Sequence, residues 1–186
     1  MPDLPPPTSH LHETTLSAEK QLSGRLLHVY RDVARLPDGS TSVREWIEHP
    51  GASAVVALFE DATALMIRQF RYPPRRVFLE VPAGKLDAEG EDPADAAQRE
   101  LEEETGYRAG TLEKLGATYP CIGYSDEVIH IFLARDLTEG TRALADGEHL
   151  DVVRMPFADL VAQARRGEIA DAKSALALLM ADAHLQ

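Results

Sequence analysis

AGKLDAEGEDPADAAQRELEEETGY, Ala83 to Tyr107, decides how the rest of the chain is read. Gly84 to Gly90 is a loop of small and acidic residues. A helix then opens at Asp92, a good N-cap, with Pro93 in the first helical position and Asp95 placed to cap backwards. Gly106 supplies a left-handed stop. Between these ends Ala97 and Leu101 make an apolar strip. Glu100, Glu103 and Glu104 fall at i, i+3 and i+4, so their carboxylates share a different face.

Such a cluster works against the helix, because like charges at this spacing cost about 0.2–0.5 kcal/mol per pair. Arg99 is the one basic residue between Pro93 and Tyr107. A solvated acidic face is the bland reading. The loop glycine, the two caps and the Arg99–Glu100 pair favour a functional one instead. Oxygen ligands suit a hard divalent ion, Mg²⁺ or Mn²⁺.

These residues carry a resemblance. Gly84, Glu91, Arg99-Glu100-Leu101, Glu103-Glu104 and Gly106-Tyr107 are similar to the signature of the Nudix hydrolases. Six residues separate Gly84 from Glu91 where the signature has five. From Glu91 onward the spacing is that of the family. The resemblance implies an α+β domain, an α/β/α sandwich in which a mixed sheet lies between helices, with the acidic helix against the sheet.

The chain has 186 residues, enough for one well-buried domain, and 44% of them are hydrophobic. A net charge of −12 argues against a nucleic-acid partner bound through a basic surface. An anionic substrate then needs local arginines or a metal. The single cysteine, Cys121, excludes an internal disulfide and fits a reducing compartment, so the cytoplasm is expected. No apolar run approaches the roughly eighteen residues of a membrane span. Prolines crowd residues 1–13, read as a disordered tail, with a single domain over 14–186.

Outward from the acidic helix, Leu26–Leu36 and Thr41–Glu48 read as a hairpin about Pro37-Asp38-Gly39-Ser40, within an N-terminal β-region of about residues 14–50. Ala54–Phe59 is a continuous apolar run typical of a strand buried on both faces. Ala64–Arg71 and Val77–Val81 are further strands. Leu112–Tyr119, Val128–Ala134 and Leu150–Met155 follow, with Thr138–Glu148 expected as a mobile loop. Helices are expected over Phe157–Arg165 and from Asp171 onward, the last one packed. No zinc spacing, phosphate-binding glycine loop, dinucleotide fingerprint or serine-hydrolase elbow is present.

Arg71 ends its strand where a guanidinium fork could meet a phosphate, or simply a solvated charge. Trp46, as a lone tryptophan, reads first as core and second as a platform for a base. The resemblance extends to the ADP-ribose pyrophosphatase branch. It is carried by Arg44-Glu45, His49-Pro50-Gly51, Gln69 to Pro73, Glu80 to Lys85, Gly123 to Glu127 and Ile169 to Ser174; Ile122 stands where that branch usually has proline.

This branch implies Mg²⁺-dependent hydrolysis of ADP-ribose to AMP and ribose 5-phosphate. A GDP-mannose or broader nucleotide-sugar hydrolase is the alternative, and a non-catalytic ADP-ribose-binding regulator a further one. It implies the Ala83 carbonyl, Glu100, Glu103 and Glu104 at the metal, and Arg99 orienting the carboxylates. Arg44, Glu45, Trp46, Arg71 and Glu80 fall at the substrate, Arg44 and Glu45 from the partner subunit of a homodimer built on the N-terminal β-region. Glu127 resembles the general base, while Glu103 or bound water is the other source of proton acceptance.

Overall fold

The computed structural model describes residues 9–86, 90–144 and 147–186. These form two compact units.

The smaller unit contains residues 9–49 with Cys121–Glu127. After a 3₁₀ turn at Ser9–Leu11 come β1 (Thr14–Ser23), β2 (His28–Arg35) and β3 (Thr41–Glu48), an antiparallel sheet in that order. The β2–β3 hairpin is the expected one: the Gly39 amide donates to the Leu36 carbonyl, and the Asp38 carboxylate accepts from the Ser40 amide and hydroxyl. β1 falls inside the expected N-terminal β-region, where the sequence singled out no strand before Leu26. TTLSAEKQLS lacks a hydrophobic face, and all ten residues are exposed. Backbone pairing to β2 holds it, interrupted by two bulges. Within the span expected as a tail, residues 1–8 lie outside the described residues, while Glu13 is held by Arg44. Cys121–Glu127 lies beside β3, its Tyr124 carbonyl accepting from the Ile47 amide.

The larger unit contains residues 50–120 and 128–186. Its strands are β4 (Ala52–Leu58), β5 (Thr63–Arg71), β6 (Arg76–Glu80), β7 (Ala83–Lys85), β8 (Tyr107–Thr118), β9 (Ile129–Glu139) and β10 (Leu150–Pro156). The sheet runs β10-β5-β4-β9-β8, with β6 on β5 and β7 on β4. β4 pairs β9 in parallel and its other neighbours antiparallel, so the sheet is mixed.

Two strands share one edge of β4. β5 takes Ala57 and Leu58, whereas β7 takes Ala52 to Ala54. This split turns Ala83 and the first two residues of the expected loop, Gly84-Lys85, into sheet. β8 begins at Tyr107, directly after the helix stop, and β9 continues to Glu139 inside the stretch expected as a mobile loop. Of that stretch, residues 145–146 are outside the described residues, as are 87–89 of the enlarged glycine loop.

Period-two alternation along β4 separates two cores. Val55 and Ala57 face α1 (Pro93–Thr105), joining Leu65, Phe132, Ala97 and Leu101. Ala54 and Val56 face α2 (Phe157–Arg165) and α3 (Ala172–Leu185), with Met66, Ile131, Leu133, Leu160 and Leu178. The larger unit is therefore the expected α/β/α sandwich. Asp92 caps α1 as expected, accepting from the Ala94 amide at 2.8 Å. Asp95 contributes a first-turn charge that suits the helix dipole.

Leu101 carries α1 onto the sheet and is fully buried. Leu101→Ala should lower unfolding stability by about 2–5 kcal/mol. Urea denaturation should show a lower midpoint with an unchanged slope.

Candidate active site

The acidic helix turns its glutamates toward the strand made by the split of β4. Glu104 is 4% exposed, and its Oε2 accepts from the Ala83 amide at 3.0 Å. Glu100 lies over Gly84, where an added Cβ would come within 2.0 Å of the Glu100 carboxyl carbon. Only glycine leaves that carboxylate its place. Two carboxylates thus meet the backbone at Ala83-Gly84.

Arg99 binds the remaining acidic groups. Its Nη1 reaches Glu100 at 2.7 Å and Glu103 at 3.3 Å, its Nε meets Glu91 at 3.3 Å, and its Nη2 donates to the Lys85 carbonyl. Glu103 is the most exposed of the helix carboxylates in this cluster.

Glu104 is electrostatically strained. Burial first, then the charges of Glu100 and Glu148, push its carboxyl up to about 8, against the pull of the Ala83 amide and Arg71. A desolvated carboxylate beside another carboxylate favours a bound cation or a proton. The donor set fits a hard divalent ion: Glu100 and Glu104 oxygens converge on the backbone that carries the Ala83 carbonyl. Among the described residues, no three acidic, histidine or cysteine side chains are grouped to hold a metal unaided. A backbone donor would complete such a site.

Arg71, at the end of β5, forks onto Glu80 through Nε at 2.8 Å and Nη2 at 2.7 Å. Glu80 is almost fully buried. Burial pushes its carboxyl up, but Arg71 and Lys173 outweigh that and hold it below the ordinary carboxylate value. Two residues named for the substrate therefore pair with each other.

The other named residues belong to the smaller unit. Arg44 is exposed and makes a two-point pair with Glu13, at 2.8 and 2.6 Å. Glu45 is near Arg31, at 3.9 Å. Trp46 is half-buried, stacked on Tyr30 with centroids 4.8 Å apart, and its indole N–H donates to Asp32. This is a packed strand-face position, with Lys20 Nζ also over the Tyr30 ring, 4.9 Å from its centroid. Glu127 lies 3.7 Å from His49 Nε2, while neighbouring Asp126 accepts from the His49 amide.

Sequence reasoning missed four contributors. Lys173 donates to Glu80 and to Asp171, the cap of α3. Ser174 accepts from the Val81 amide. Arg142 donates through Nε to the Glu104 carbonyl and through Nη2 to the Leu150 carbonyl, both at 2.7 Å. Glu148 acts on Glu104 through its charge. The capping pattern at Asp171 was legible. Arg142 and Glu148 sit in a stretch with no periodicity, so nothing local marked them.

Comparison with known proteins yields four findings. The family described as NUDIX domain matches residues 48–178. The chain is 41% identical over 170 residues to the ADP-ribose pyrophosphatase of Bacillus subtilis (strain 168), covering 90% of this chain and 91% of that one. It is 37% identical over 168 residues to a methanol dehydrogenase activator of Bacillus methanolicus, covering 89% and 90%. Among solved structures, a crystal structure of an ADP compounds hydrolase superposes with a TM-score of 0.82 at 26% identity, over 94% of this chain and 95% of that one.

The raised Glu104 carboxyl sets a pH dependence. The folded chain keeps a proton on it up to about pH 8, while the unfolded chain releases it near the ordinary 4.5. The folded state then binds more protons across that window, so its contribution to stability declines as pH rises from 4.5 to 8 and levels off above. In chelator, the thermal midpoint of the wild type should fall relative to that of Glu104→Gln between pH 5 and 8. Saturating Mg²⁺ should raise the wild-type midpoint far more than the variant's.

Proposed function

Because the chain belongs to the NUDIX domain family, we propose that it hydrolyses the pyrophosphate bond of a nucleoside diphosphate sugar, ADP-ribose foremost, in a Mg²⁺-dependent reaction. The observation that carries the reading is the meeting of Glu100 and Glu104 at Ala83-Gly84, with Arg71 close enough for its charge to act on Glu104. Its support from relatives is the Bacillus subtilis protein named ADP-ribose pyrophosphatase, 41% identical in an alignment that covers 90% of this chain and 91% of that one.

In this reading Glu100, Glu104 and the Ala83 carbonyl hold the ion, with Glu103 in support. Such an ion neutralises phosphate charge and lowers the pKa of water. Arg99 keeps Glu100 and Glu103 in place. Arg71 offers its remaining N–H groups to a phosphate oxygen while Glu80 fixes its plane. Water adds to one phosphorus, the bridging P–O bond breaks, and AMP and ribose 5-phosphate leave. Glu127 is one proposed acceptor of the water proton. Glu148 is the second, favoured by its charge being felt at Glu104.

A panel of nucleoside diphosphate sugars, including ADP-ribose and GDP-mannose, should be incubated with Mg²⁺ and released monophosphate measured. ADP-ribose should turn over fastest, and Glu100→Gln should lose nearly all turnover with its fold retained. A regulator that only binds ADP-ribose would show no monophosphate at all. Of Glu127→Gln and Glu148→Gln, the base variant should lose about 10²–10⁴ in kcat with KM little changed. Equal small losses in both would leave neither as the base.

We also propose a homodimer formed through the three-stranded sheet, with Arg44, Glu45 and Trp46 reaching the partner's substrate, and action in the cytoplasm. No helix among the described residues is long and apolar enough to cross a membrane. β1 is an edge strand whose backbone groups on one side have no strand neighbour within the sheet, and such edges are normally covered. Sedimentation should give twice the chain mass, and Trp46→Ala should raise KM more than it lowers kcat. A fully active monomer would sink this assembly.

A further inference from the structure

Four charged side chains gather at the N-terminus of α3. Arg71 forks onto Glu80, Lys173 donates to the same Glu80 Oε2, and Lys173 also reaches Asp171 at 2.8 Å. Asp171 caps α3 at Ser174, whose hydroxyl accepts from the Val81 amide. The Glu80 side chain is 2% exposed and that of Lys173 14%. An almost dry carboxylate needs one good cationic partner, and Arg71 already occupies both its oxygens. With Lys173 as well, the positive charge at Glu80 exceeds its single negative one.

We propose that Lys173 is a positioning residue whose ammonium offsets Glu80, so that the Arg71 guanidinium keeps a net attraction for an anionic substrate. The inference rests on the reading of Arg71 as a phosphate ligand. With Lys173 present, two cations face two anions. Without it, Arg71 sits in a cluster of net negative charge, on a chain already at −12. Arg71 would then be neutralised by Glu80, and Asp171 would add repulsion. Because Asp171 opposes Lys173, the two residues should shift anion binding in opposite directions. A brace that merely held α3 on the sheet would respond to both losses alike.

Three variants separate these readings: Lys173→Met, Lys173→Arg, and Asp171→Asn, which keeps a side chain able to cap. Two readouts are taken with each: steady-state kinetics on ADP-ribose, and calorimetric binding of inorganic pyrophosphate with Mg²⁺. Lys173→Met should raise KM and weaken pyrophosphate by about tenfold with kcat within about twofold, and Lys173→Arg should restore most of this. Asp171→Asn should tighten pyrophosphate and lower KM. Weaker binding in both Lys173→Met and Asp171→Asn overturns the proposal, as does a kcat loss at unchanged KM. Should Lys173→Met fail to fold, the direction of the Asp171→Asn shift decides. If the wild type hydrolyses no nucleoside diphosphate sugar, the substrate reading fails, while the pyrophosphate titrations still test the charge balance.

Discussion

The hydrogen bond from the Ala83 amide to the buried Glu104 carboxylate is the constraint on which the larger unit depends. A carboxylate that is 4% exposed must be anchored and must be near something positive. Yet it sits at the negative end of α1, with Glu100 one turn earlier and no basic residue in the helix's own last turn. Relief comes from outside the helix. Arg142 reaches the Glu104 carbonyl, and the Ala143 amide meets the Glu103 carbonyl. Gly106, at φ 80°, turns the chain so that its amide closes on Glu102. The backbone end of α1 is thereby satisfied, while the charge of Glu104 itself is left for a cation.

The same few residues, Glu80 to Gly84, are held from both faces of the sheet. From one side α1 reaches Ala83 through Glu104 and covers Gly84 with Glu100. From the other side α3 reaches Glu80 through Lys173 and Val81 through Ser174. The split of β4 between β5 and β7 makes room for this crossing, because the Pro82 carbonyl still accepts from the Val55 amide as the chain changes partner. Arrangements anchored by packed helices and a strand lose little precision to motion, as catalysis by positioning and charge requires.

The smaller unit follows other rules. Its sheet is held by a backbone ladder and by the Tyr30–Trp46 stack, and β1 is exposed throughout. Trp46 is packed without being sealed. Its ring packs on Tyr30 and its N–H finds Asp32, yet it remains only half-buried.

Local chemistry alone determined α1, its Asp92 cap and Gly106 stop, the β2–β3 hairpin and the buried run of β4. Each depends on neighbours a few residues apart: periodicity, a cap, a turn. The spacing of Glu100, Glu103 and Glu104 likewise announced an electrostatic cost that needed an answer. Only the tertiary structure decided what answers it. β1 carries no hydrophobic alternation, so its place depends on β2, and Ala83-Gly84-Lys85 becomes a strand only because β4 offers it a free edge. Arg71 finds Glu80 across a hairpin, Lys173 reaches Glu80 from 93 residues away, and Arg142 reaches Glu104 from 38. Hydrogen bonds and charges over such separations leave no periodic trace in the chain, because they depend on where elements pack and not on what stands beside them.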